Sequence, residues 1–95
     1  DVTVGHGAII HGCTIEDNCM IGMGATVMDD AVIGAGSLIG AGALVGPNMQ
    51  VPPKSLVIGI PGKVVREVRE EEYKMILSRP QEYIDLAAIY SCTTL

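Results

Sequence analysis

Aliphatic residues recur at every sixth position along most of this chain. Ile15, Ile21, Val27, Ile33, Ile39, Val45, Val51 and Val57 keep the step without a miss, and Val4 and Ile10 keep it upstream. Between Ile10 and Ile15 the step is one residue short. Four positions after each aliphatic comes a mostly small residue: Ala8, Thr14, Cys19, Ala25, Ala31, Ser37 and Ala43, then Met49 and Ser55. Glycine often follows the aliphatic directly, as at Gly5, Gly22, Gly34, Gly40 and Gly46. An amphipathic helix wants apolar spacing near 3.6 and a half-buried strand a spacing of two, so a period of six fits neither. It fits a coil of short strands and turns, an all-β solenoid in which about three repeats close each triangular turn. The aliphatics then stack inward and the small residues fill the narrowing corners. Glycine admits corner conformations that a side chain forbids. Each turn adds about 4.8 Å, the spacing of hydrogen-bonded strands, and is stable because its neighbours cover it.

The period ends near Pro61. "PGKVVREVREEEYKMILSR" carries Val64, Val65, Val68, Met75, Ile76 and Leu77 beside a dense charged face, which predicts an extended approach followed by a helix. Glu70, Glu71 and Glu72 sit near the helix start, where acidic residues suit its dipole. Pro80 can open a second helix, "PQEYIDLAAIYS", with Tyr83, Ile84 and Ala87 on its buried face. The expected organisation is a solenoid of about three coils over residues 1–61 and a helical tail over 62–95 that packs back on the prism.

Composition narrows the function classes. There is no Trp or Phe and there are only three Tyr, so the core must be aliphatic. Eleven acidic against six basic residues give a net charge of -5 without a basic cluster, which argues against nucleic acid as a partner. Three cysteines, Cys13, Cys19 and Cys92, lack a C-x-x-C spacing and suit neither a disulfide framework nor a cysteine-zinc site. Cys13 and Cys19 fall at inward positions and read as small apolar fillers. Met20, Met23 and Met28 read as packing or subunit-contact residues, and Glu16, Asp17, Asp29 and Asp30 as corner residues. No apolar run reaches the roughly 18 residues of a membrane helix, so a soluble, cytoplasmic protein without a membrane partner is expected. The chain opens at Asp1 inside a repeat, and further coils are expected upstream.

His6 and His11 are the only histidines, and both lie in "GHGAIIHGC", beside the one place where the repeat loses a residue. Neutral imidazole is the commonest zinc ligand, and a catalytic zinc takes three protein ligands with the fourth position left to water. Two imidazoles are one short. Two histidines by themselves are more often solvated surface residues.

The repeat resembles the hexapeptide of left-handed parallel β-helix proteins, a group containing many acyltransferases and the gamma-class carbonic anhydrases. "GHGAIIHGCTIEDNCMIGMGA" resembles, nearly residue for residue, the gamma-class segment that supplies two of three zinc ligands, and "PGKVVREVREEEY" is similar to the tail of those proteins. The resemblance implies a left hand and C-terminal α-helices. It also implies a homotrimer whose zinc lies between subunits, with iron or cobalt as other metals the site could take. His11 would pair with an upstream histidine of its own chain, and His6 would reach the adjacent subunit. The third histidine is expected about two coils before His6, upstream of Asp1. Tyr83 in "EYIDLA" resembles a tyrosine that the family places near the metal, and a core-facing role is an equal alternative.

The implied activity is reversible hydration of CO2 to bicarbonate, and the 95 residues alone are expected to be poorly active. Two other readings stay open. One is a coenzyme A-dependent acyltransferase with a single histidine as general base. The other is a non-catalytic trimeric assembly subunit.

Overall fold

The computed structural model describes residues 2–78. Three faces of parallel strands wind into a triangular solenoid. The first carries β1 (Val2–Val4), β4 (Cys19–Ile21), β7 (Leu38–Ile39) and β10 (Ser55–Ile58). The second carries β2 (Ile9–Ile10), β5 (Thr26–Val27) and β8 (Leu44–Val45), and the third β3 (Thr14–Ile15), β6 (Val32–Ile33) and β9 (Gln50–Val51). The six-residue repeat is the reason the strands are so short: each face receives one repeat per turn.

Register turns the repeat into a core. Val4, Ile21, Ile39 and Val57 stack down the first face, Ile10, Val27 and Val45 down the second, and Ile15, Ile33 and Val51 down the third. Ile21, Val27, Ile33, Ile39, Val45 and Val57 are fully buried, with Ala25, Ala31, Ser37 and Ala43 filling the corners between them. Val4 and Ile10, in the first described coil, remain exposed because no strand among the described residues lies above them.

Two expectations need correction. Thr14 is not an inward corner residue: it lies exposed on β3 beside Val32, and Cys13 takes the inward place above Ala31. The missing residue precedes Cys13, so the six-residue count slips by one there. The glycines that follow the aliphatics are also not left-handed. Positive φ falls elsewhere in the corners, at Gly7, Asn18, Gly24, Asp30, Gly36, Gly42, Asn48 and Lys54. At Gly22 a Cβ would lie 2.5 Å from the Ala41 backbone nitrogen, so close stacking of coil on coil is what excludes a side chain.

Past Gly59 the chain reverses, and β11 (Lys63–Glu67) pairs antiparallel with β10 to end the first sheet. The helix α1 (Glu70–Ser78) follows. Its Ile76, with Val68 before it, covers the outward side chains Met20, Leu38 and Leu56 of the first face, with Met23 and Tyr73 packed alongside. The extended approach and the helix agree with the sequence reading. The expected second helix and Tyr83 lie outside the described residues.

Candidate metal centre

Both histidines stand on the first coil, at the two ends of β2. His6 belongs to the corner of residues 5–8 that joins the first face to the second. His11 opens the next corner, between the second face and the third. Each imidazole is exposed. The sequence expected the two histidines beside the short step, and the fold puts them on neighbouring corners of one face, with β2 between them.

The irregular spacing has a definite location. Val4 sits above Ile21 and Ile10 above Val27, seventeen residues on, but Ile15 sits above Ile33, eighteen on. The residue is lost between Ile10 and Thr14, where His11, Gly12 and Cys13 make a three-residue corner above the four residues Met28 to Ala31. In the four-residue corners that join the first face to the second and the second to the third, the fourth residue's N–H donates to the first residue's carbonyl, as from Ala8 to Gly5 and from Ala31 to Met28, each at 3.3 Å. In the short corner Cys13 N–H donates instead to the His11 carbonyl, at 2.6 Å. His11 is therefore carried by a tighter turn than any corner beneath it on the same edge.

That corner is tied down to the next coil. The His11 N–H donates to the Val27 carbonyl at 3.0 Å, and the Asp30 N–H donates to the Gly12 carbonyl at 2.8 Å. Gly12 N–H donates to the Asp29 carboxylate at 3.0 Å. The corner residues Asp29 and Glu16 thus do more than face water, since Glu16 likewise accepts a bond, at 3.2 Å, from Ala35 N–H one coil on. Neither contact was legible in the sequence, because it joins residues 17 and 19 positions apart and depends on coil register.

The thiols are poor candidates for completing a site. Cys13 is half-buried against the core, and burial pushes its thiol up, its own backbone amide opposes this, and the Asp29 charge adds to the rise. Cys19 is buried, donates to the Gly34 carbonyl at 3.2 Å, and is raised chiefly by burial. Burial thus works against the thiolate, the form a metal binds, at both positions. Among the described residues no group of three or more His, Cys, Asp or Glu side chains could hold a metal ion. The histidines fit zinc in type and exposure, and two imidazoles are one donor short of the three protein ligands a catalytic zinc takes. A groove of about 530 Å³ lined by Lys54, Glu67, Tyr73, Lys74 and Leu77 lies by α1, and neither histidine borders it. No helix among the described residues is long and apolar enough to cross a membrane.

Comparison with known proteins agrees with this architecture. The family described as bacterial transferase hexapeptide (six repeats) matches residues 12–47. A Methanocaldococcus jannaschii protein named "Probable carbonic anhydrase" is 54% identical over 86 residues, covering 90% of this chain and 54% of the relative. "Gamma carbonic anhydrase 2, mitochondrial" of Arabidopsis thaliana is 42% identical over 91 residues, covering 96% of this chain and 33% of the relative. The crystal structure of a hexapeptide transferase family protein from Anaplasma phagocytophilum superposes with a TM-score of 0.80 at 39% identity, over 94% of this chain and 54% of that one. The chain thus spans between a third and about half of the length of these relatives. Its repeat and stacked register match the hexapeptide-repeat pattern, and over most of its own length the chain is similar to proteins of the gamma carbonic anhydrase-like kind.

Proposed function

We propose that this chain is part of a zinc-dependent carbonic anhydrase-like enzyme whose metal site is shared between subunits of a homotrimer. The observation that carries the reading is the placement of two exposed imidazoles at opposite ends of β2, one of them on the shortened corner. On one chain they flank a face, so each is presented to a neighbour lying against that face or its edge. The outward residues of the face, Ile9, Thr26 and Leu44, are uncharged, and Ile9 is exposed. Such a surface suits contact with a second copy in closed symmetry.

His11 holds the metal together with an upstream histidine of its own chain, and His6 reaches it from the adjacent subunit. A zinc held by these residues would lower the pKa of a water to about 7 and so would supply a nucleophile for CO2 at neutral pH. His6 and His11 serve as neutral donors, and the backbone bonds of the short corner fix the direction in which His11 is offered. Tyr83 is a candidate to border the substrate.

The resemblance to a hexapeptide transferase favours a second reading, acyl transfer from coenzyme A with one histidine as base. Zinc content and CO2 hydration, measured on the full-length protein, separate the two. We expect about one zinc per chain, and loss of both zinc and hydration in His6→Ala and in His11→Ala. Acetyl-coenzyme A turnover in zinc-free protein, with hydration absent, would favour the transferase.

A further inference from the structure

We infer that Asp29 is a positioning residue for His11, acting through Gly12. The inference rests on the metal-site reading above. It begins from what the short corner lacks. With three residues instead of four it has no turn bond of the kind that closes the corners at Gly5–Ala8, Gly22–Ala25 and Met28–Ala31. The Cys13-to-His11 bond that replaces it spans only two residues and leaves Gly12, between them, to be fixed from outside.

Asp29 does this from directly below. Its carboxylate accepts from Gly12 N–H at 3.0 Å, while Asp30 N–H beside it donates to the Gly12 carbonyl at 2.8 Å, so both backbone polar groups of that residue are held by the coil beneath. Asp29 is itself anchored, because its own carbonyl accepts from Asn48 N–H at 3.0 Å one coil further down. The result is a column from Asn48 through Asp29 to Gly12 that ends next to His11. The other bonds that hold the corner are made by backbone, and the Asp29 bond is the one a substitution can remove. A partner that orients a metal ligand typically contributes about 10- to 100-fold in metal affinity.

The test uses the full-length protein with Asp29→Ala and Asp29→Asn, the second of which keeps an oxygen acceptor in place. Amide hydrogen exchange in metal-free protein should show Gly12 exchanging at least about tenfold faster in Asp29→Ala, with Ile33 and Ile39 unchanged and the melting temperature preserved. Chelator competition should then show zinc held about 10- to 100-fold more weakly by Asp29→Ala and within about threefold of the parent by Asp29→Asn. Unchanged Gly12 exchange, or equal zinc affinity in Asp29→Ala and the parent, would overturn the assignment. A parent that binds no zinc would instead overturn the metal reading and, with it, the purpose assigned to Asp29.

Discussion

An added methyl group at Gly22 has nowhere to go, since its carbon would lie 2.5 Å from one backbone atom of the coil below and 2.8 Å from two others. Gly46, at the same place in the repeat, has nothing within 4 Å. Gly22→Ala should therefore destabilise by about 2–3 kcal/mol, as overpacking does, and Gly46→Ala should stay within about 0.5 kcal/mol. Urea unfolding of the pair measures this, and equal effects would refute the close-stacking account. The repeat showed where glycines fall but not why, because period alone cannot separate left-handed backbone from close approach.

Cys19 offers a second test at the scale of one residue. Burial raises its thiol above the ordinary 9.0, so the folded state holds the proton more tightly than the unfolded chain. Its contribution to stability is complete below about pH 9 and is lost as pH rises through the raised folded value. Thermal melts from pH 8 upward should fall more steeply in the parent than in Cys19→Ala. Parallel slopes would mean that the thiol does not gain from burial.

At the scale of elements, the start of α1 has a built-in clamp. Glu72 is buried, pairs with Arg66 of β11 through two bonds of 2.7 and 2.9 Å, and accepts from Arg69 N–H at 2.8 Å. A Glu at the third helical position reaching back to the amide before the helix satisfies one of its orphan donors. Glu72→Ala should cost about 2 kcal/mol, discounted from a fully buried pair because the Arg66 side chain is 27% exposed. Chemical denaturation should show that loss, with Met20 and Leu38 becoming accessible as the helix loosens; an effect below about 0.5 kcal/mol would rule the clamp out. The sequence placed acidic residues at this helix start and an extended segment before it. It could not show that the segment pairs antiparallel with β10, since neither the partner nor the direction is written in a five-residue strand.

For the whole molecule, the period of six was enough to read the solenoid, because every inward aliphatic obeys it except across one corner. The irregularity there was visible as a short step, yet its consequence required coil register: His11 on a tight turn, and Asp29 under Gly12. Whether the two histidines serve one metal is a property of the assembly. The direct test mixes His6→Ala and His11→Ala subunits of the full-length protein, under confirmed exchange. In a closed ring, a mixed trimer of either composition has one interface that joins an intact His11 to an intact His6. Random assortment should thus restore zinc and CO2 hydration to about a quarter of the parent sites, although each variant alone has none. No recovery, despite exchange, would contradict a site shared between subunits.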